Sequence, residues 1–166
     1  MTTAASNREA ATPVSQIRRH NVDIALIWRD GHGDIAQSGT DLLTDDSIET
    51  AVIISLFTDR RAEPGDDIPD GTTNRRGWWG DTYSETPIGS RLWLLSREKQ
   101  LSSVLGRAEQ YAAEALQWLI DDGLAATIAI TATNPANEVL ALRIDITLPD
   151  GSPLPPFNFN TVLRGL

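Results

Sequence analysis

The chain has only two histidines, His20 and His32, and no cysteine. A serine becomes a nucleophile when a base lies within hydrogen-bond reach. Neither histidine has neighbours that complete a triad, so serines such as Ser84 and Ser90 read as inert. Asp30, His32 and Asp34 alternate through a Gly-rich stretch and could face a metal ion, but the spacing is not that of a zinc site. Residues of these types in a turn usually serve as solvated turn formers. Glu63, Asp66, Asp67, Asp70, Asp81 and Glu85 fall in one long loop. Two carboxylates of different pKa across a cleft could hydrolyse a glycosidic bond there, although acidic loops also collect such residues simply for solvation. The run Asp66-Asp67-Ile68-Pro69-Asp70-Gly71 begins like a calcium loop and lacks the full ligand spacing and the closing glutamate. The expectation is a protein that is not an enzyme and has no catalytic residue, no cofactor and no metal, with carboxylate-pair hydrolysis as the alternative.

The stronger signal is a recognition signal. Three of the five tryptophans, Trp78, Trp79 and Trp93, sit close to Arg75, Arg76 and Arg91. Tryptophan supplies a large rigid contact area and arginine a planar fork, and both are enriched where interfaces concentrate their energy. In the string Arg75-Arg76-Gly77-Trp78-Trp79-Gly80-Asp81, the two glycines free the backbone to bring both rings near another chain. Neighbours in a chain point to different sides, so one ring is expected to pack inward and the other to face a partner. The bland alternative is that the tryptophans are core and the arginines pair with Asp81 and Glu85.

The formal net charge of −9 and a pI near 4.6 argue against a polyanionic partner, so neither nucleic acid nor an anionic membrane is expected. Residues 1–19 lack the apolar core of a signal peptide, and no apolar run reaches the length of a membrane span. The chain should therefore be soluble where it is made.

The elements that must position these residues follow from periodicity. Residues 1–20 show no period and are expected to form a flexible N-terminal arm, leaving 21–166 as a single domain. Val22, Ile24 and Leu26 alternate with polar or small residues, which predicts a strand, a turn over 30–33 and a returning strand over 34–37. Asp46 and Glu49 have the spacing of a capping box for a helix running to about residue 58, with Ile48, Val52, Ile53 and Leu56 on one face. A loop spans 59–87. A short apolar helix is predicted over 90–97 and a longer one over 101–122, with Gly123 as its C-terminal cap. Two alternating strands over 124–132 and 140–148 predict a hairpin linked by Asn134-Pro135-Ala136-Asn137. The tail, with Phe157, Phe159 and Thr161 alternating, should lie extended on a surface. The expected fold is α+β: a small antiparallel sheet, made of the N-terminal and C-terminal hairpins, packed with about three helices.

The string Asn74-Arg75-Arg76-Gly77-Trp78-Trp79-Gly80-Asp81, followed by Ile88-Gly89-Ser90-Arg91-Leu92-Trp93-Leu94-Leu95 and then Arg97 and Lys99, resembles the baseplate protein family of Mu-like contractile phages. That family is similar to the wedge proteins and sheath initiators of other contractile tails. In the wider group a helix is followed by a Gly-Glu-Arg-like turn and later by a Phe-Gly-Ser-like element. Here those positions read Asp59-Arg60-Arg61 and Ile88-Gly89-Ser90, a partial match and a close one.

The resemblance implies a virion structural subunit at the junction of baseplate and sheath, made in the host cytoplasm. It implies a ring of several copies, six being the expected number, contacting other wedge subunits, the sheath protein and the tail tube or hub. It also implies that the subunit offers strands which sheath arms extend. The C-terminal hairpin fits that task, with Thr127, Ala129, Thr131, Arg143, Asp145 and Thr147 as the pairing residues. Arg75, Arg76, Gly77, Trp78, Trp79, Gly80, Asp81, Arg91 and Trp93 would hold the subunit in the baseplate. A lysozyme-like muralytic activity, a label the wider family has carried, is the alternative reading.

Overall fold

The computed structural model describes residues 23–45, 48–83, 86–96 and 102–163. The arm expected over 1–20 lies outside them, as do Asp46, Ser84, Glu85, Arg97 and Lys99.

The alternation over 124–148 produces β7 (Thr127–Ala136) and β8 (Val139–Thr147), paired antiparallel. Even-numbered Leu140, Leu142, Ile144 and Ile146 are buried, while Arg143 on the opposite face is exposed. The link lies further along than expected. Asn137 and Glu138 form the turn, with Glu138 at φ 61°, and Pro135 sits inside β7 where the register shifts between Thr133 and Ala136. Such an irregularity accommodates a proline, which cannot donate to a ladder. The tail is a third strand, β9 (Phe157–Val162), paired with β8 from Ile144↔Phe157 to Val139↔Val162. The C-terminal unit is thus a three-stranded sheet with β8 in the middle.

Among the described residues there are two α-helices rather than three. Helix α1 (Glu49–Phe57) buries Val52, Ile53 and Leu56. Ile48 is its N-cap and supplies no side-chain bond; the expected capping box rests on Asp46, which lies outside the described residues. Helix α2 (Ser102–Asp121) buries Val104, Ala108, Ala112, Ala115, Leu116 and Leu119. Its stripe is rich in alanine, which lets it lie close along β7. At its end Gly123 has φ 70°; its N–H reaches Ile120 O at 3.0 Å and that of Leu124 reaches Leu119 O at 2.8 Å. This is a Schellman closure, which requires the left-handed conformation that glycine adopts without strain. The helix expected over 90–97 is a single buried 3-10 turn, Leu92–Leu95.

The N-terminal region does not join the C-terminal sheet. It comprises β1 (Asp23–Ile24), β2 (Leu26–Arg29), β3 (His32–Ile35), β4 (Gln37–Ser38), β5 (Asp41–Leu42) and β6 (Thr44–Asp45), paired β1–β6, β2–β3 and β4–β5. Asp30 and Gly31, with φ 52° and 84°, make the two-residue turn between β2 and β3. That combination matches the twist of a hairpin. The three ladders meet at one point. Ala25 N–H donates to Leu43 O at 2.9 Å, Leu43 N–H to Ala36 O at 3.0 Å, and Ala36 N–H to Ala25 O at 2.9 Å, closing a ring. Trp28 ties this module to the rest: its ring stacks on Phe57 at 3.8 Å, and its Nε1–H donates to Asn160 O at 3.0 Å.

Candidate functional site

The loop between α1 and the buried turn is organised by backbone first. Asp59 bridges Ser90 in parallel, with Ser90 N–H donating to Thr58 O and Arg60 N–H to Ser90 O, both at 2.9 Å. Ser90 Oγ–H donates to Leu56 O and accepts from Leu92 N–H at 3.2 Å. Gly89, at φ 95°, makes this approach possible, since a Cβ there would lie 2.3 Å from Thr58 O. The two motif segments singled out in sequence, Asp59-Arg60-Arg61 and Ile88-Gly89-Ser90, are thus one structural element that closes the end of α1.

The arginines are fastened within the chain. Arg91 is largely buried; it binds Asp66 (3.1 Å) and Glu114 (2.7 Å) and lies 4.8 Å from the centre of the Tyr111 ring. Burial opposes its charge, but hydrogen bonds and attraction from Glu114 and Asp66 more than offset that, leaving its pKa raised. Arg60 reaches the other oxygen of Glu114 at 3.3 Å. Arg76 pairs with Asp59 at 2.9 Å and stacks over Trp93 at 4.5 Å. Arg75 donates to Ala62 O, whose own N–H bonds Arg75 O at 2.9 Å. Among the described residues the partners are therefore Asp59, Asp66 and Glu114 rather than Asp81, and Glu85 lies outside the described residues. Asp81 instead accepts Ile88 N–H at 3.0 Å.

Beside Arg60, Arg75, Arg76 and Arg91, held in this way, stand exposed aromatics. A 3-10 turn, Trp79–Tyr83, presents Trp79 at 76% and Tyr83 at 86% exposure. Trp78 keeps 43% exposure, and its ring lies against Gly80, where a Cβ would meet it at 2.2 Å. The expectation of one inward and one outward ring is corrected in degree: Trp78 folds back on its own turn rather than entering the core. The inward tryptophan is Trp93, 2% exposed, with Nε1–H donating to Arg60 O at 2.8 Å. Trp93 and Arg91, assigned from sequence to partner contact, are thus interior parts of the scaffold. Gly77, at φ 106°, lies so close to Arg61 that a Cβ would approach its Cβ to 2.8 Å, which places the loop against 59–62.

The sheet adds a second feature. Thr127, Ala129, Thr131 and Arg143 stand exposed on the face away from the core, with Asp145 and Thr147 half-buried there. Arg143 forks onto Asp145 at 2.8 and 2.9 Å, and that hydrogen bond holds the Asp145 carboxyl below its ordinary range. Arg143, Asp145 and Thr147 lie on β8, however, which β7 pairs on one side and β9 on the other. Beyond β9, Leu154 N–H takes Ile146 O at 2.9 Å. A central strand has no free edge to lend, so the expectation of strand pairing by these three is corrected on the grounds of backbone occupancy. The outer side of β9 meets the first hairpin, as Asn160 O accepts from Trp28. No described strand lies on the outer side of β7, where Glu109 Oε1 accepts Ala132 N–H at 2.9 Å.

The sequence model of the family described as Phage protein GP46 matches residues 48–153. The chain belongs to this family. It is 54% identical over 144 residues to the baseplate protein gp46 of Escherichia phage Mu, an alignment covering 87% of this chain and 99% of that protein. It is 49% identical over 131 residues to the Mu-like prophage FluMu protein gp46 of Haemophilus influenzae, covering 78% and 90%. The GP46 match runs from the N-cap of α1 past the end of β8 and contains the whole arginine network and the Trp79 turn.

Sequence reasoning missed Glu114, Tyr83 and Glu109. Tyr83 could have been found, since it falls four residues after Trp79 in a short turn. Glu114 follows Tyr111 by three residues and so shares its helix face, but its arginine partners lie 23 and 54 residues away, and no local pattern announces them. Of the loop carboxylates singled out for chemistry, three are engaged in folding: Asp66 holds Arg91, Asp70 accepts from Thr72 at 2.7 Å, and Asp81 accepts from Ile88 N–H. His32 makes a long contact with Asp30 O, and among the described residues no group of three His, Asp or Glu could hold a metal ion.

Glu114 is the hub of the network. Glu114→Ala is expected to cost about 2–3 kcal/mol, because Arg91 is left largely buried with one partner removed. Its own partial exposure, 32%, limits the loss. Denaturant unfolding of the variant checks this, and a midpoint unchanged from the parent would show that Asp66 alone suffices.

Proposed function

We propose that this chain is a structural subunit of a contractile-phage tail baseplate, held there through the aromatic turn Trp79–Tyr83 and joined to the sheath through the outer edge of β7. The observation that carries the reading is the 54% identity, over 87% of the chain, with a protein named as a baseplate component. In this reading the subunit belongs to the wedge and initiates the sheath, in a ring whose expected copy number is six. Arg75, Arg76 and Asp81 shape the turn, and Trp78, Trp79 and Tyr83 make the contact. Exposed aromatics on a rigid support suit that role, since truncating a central aromatic at an interface costs about 2 kcal/mol or more, roughly thirtyfold in affinity. The β7 edge supports the second contact, because an edge strand with small neutral side chains and no further described strand beside it is a template for another chain, with Glu109 as the group to be displaced at Ala132. Arg143 and Asp145 would then flank the contact from the exposed face without lending backbone.

The test uses tails assembled with the double variant Trp79→Ala/Tyr83→Ala. Its isolated stability is expected within about 0.5 kcal/mol of the parent, as befits exposed positions, while its copy number in purified tails falls severalfold. Full incorporation at unchanged stability would remove the turn from the interface.

A further inference from the structure

In an antiparallel ladder, residues whose N–H and C=O serve one neighbour alternate with residues whose groups face the other side. On β7 the N–H of Ala132 reaches Glu109 Oε1 of α2 at 2.9 Å instead of β8, so Ala132 faces outward, and by alternation Ile130 and Ile128 do too. The opposite strand agrees: Ile146, paired with Ile128, accepts Leu154 N–H on the far side of the sheet. No described residue takes up the outward backbone groups of Ile128 or Ile130. Their side chains are half-buried against the core, so what they offer at the edge is backbone alone.

The run Thr127-Ile128-Ala129-Ile130-Thr131-Ala132-Thr133 holds no charge and no proline, and the register shift of β7 falls after it, between Thr133 and Ala136. A short uncharged run rich in β-branched residues is the type of segment that pairs with identical copies of itself. Edge strands are normally protected by a lysine, a proline or a bulge, and none of these lies in 127–133. A twofold pair of such edges would oppose no like charges, because Thr127, Ala129, Thr131 and Thr133 on the exposed face are neutral. What stands in the way is Glu109. A pairing centred on Ala129 or Ile130 carries the incoming strand past Ala132 in both copies, and so into both carboxylates.

We propose that Glu109 guards the β7 edge: it holds Ala132 N–H and sets a negative charge there, which bars a second copy of this chain while the subunit is free. A charge-assisted bond to a backbone N–H is stronger than the neutral bond a second strand would supply in its place. Burying the carboxylate beside that strand without a cation is costly as well. Because Glu109 stands on α2, which packs along β7, it protects the edge without altering the strand itself. A strand that joins the subunit to the sheath must then displace Glu109 or end short of Ala132. That last consequence rests on the reading of β7 as the joining edge; the exclusion of a second copy does not.

Sedimentation velocity on the full-length chain tests the guard. Glu109→Ala is expected to self-associate at least about tenfold more tightly than the parent, the scale of one lost charge-assisted bond. Adding Ala129→Lys/Thr131→Lys, which sets like charges face to face in either centring, should return association to the parent level although Ala132 N–H still lacks Glu109. Since the chain has no cysteine, Ala129→Cys reads the contact directly: oxidised glutathione should link two copies severalfold faster with Glu109→Ala than without it. Association that arises from lost structure would not be rescued by lysines at the edge, so unrescued association overturns the proposal. Glu109→Ala that associates no more than the parent overturns it too. The two readings fail separately: tails carrying Ala129→Lys/Thr131→Lys that build a full sheath would remove β7 from the sheath contact and leave the guard standing.

Discussion

Gly89→Ala is expected to destabilise the domain by at least about 3 kcal/mol, combining left-handed strain with a backbone clash. The added methyl would sit 2.3 Å from Thr58 O and 2.8 Å from Thr58 C, both main-chain atoms at the end of α1 that cannot rotate aside. Relief requires parting residues 58–60 from 89–90, which breaks the bonds between Ser90 N–H and Thr58 O and between Arg60 N–H and Ser90 O. At about 2–4 °C per kcal/mol for a domain of this size, the midpoint should fall by roughly 6–12 °C. Calorimetry decides the matter. A shift below about 2 °C would mean that the loop can leave α1 without cost, and that Gly89 serves something other than close approach.

The second large effect is expected at Trp93. Trp93→Ala should cost about 3–5 kcal/mol, the range for emptying a buried aromatic site. Three losses coincide there: the packing of a ring only 2% exposed, the indole donor to Arg60 O, and the surface on which Arg76 stacks at 4.5 Å. Because Arg76 also holds Asp59, the variant should loosen the 75–81 loop as well as the core. Trp93→Phe restores the ring without the donor and should recover more than half of the loss. Urea unfolding of the three proteins provides the comparison. If Trp93→Ala unfolded at the same midpoint as the parent, the interior placement of this side chain would be wrong. Trp79→Ala, by contrast, removes a ring already 76% exposed and should leave the midpoint in place.

The contrast between these two tryptophans shows what was legible in the sequence. Both stand in the same Arg- and Gly-rich neighbourhood, and composition alone marked both for partner contact. What separates them is which backbone carries them. Trp93 belongs to a 3-10 turn whose neighbours Leu92, Leu94 and Leu95 are buried with it, so an apolar run around it was a usable sign. Trp79 starts a turn flanked by Gly80 and Asp81, where little apolar surface is available to cover it. Likewise, the odd–even pattern over 140–148 located β8 and its buried face correctly. It could not tell whether β8 was an edge, because pairing by β9 depends on where the Pro-rich tail returns.

Some properties of this protein were determined by the sequence alone. The alternating strands, the stripe of α2, the glycine closing that helix at Gly123 and the recognisable string from Asn74 to Leu95 all rest on interactions within a few residues. Periodicity and local backbone preference suffice for these. Tertiary structure alone decided which arginines are spoken for, which tryptophan is interior, and which strand of the C-terminal sheet is central. Those outcomes depend on groups far apart in the chain, such as Glu114 with Arg60 and Arg91, or Ser90 with Thr58. A buried charge or backbone group takes whichever partner the packing brings within reach, and that partner's distance along the chain leaves no periodic trace.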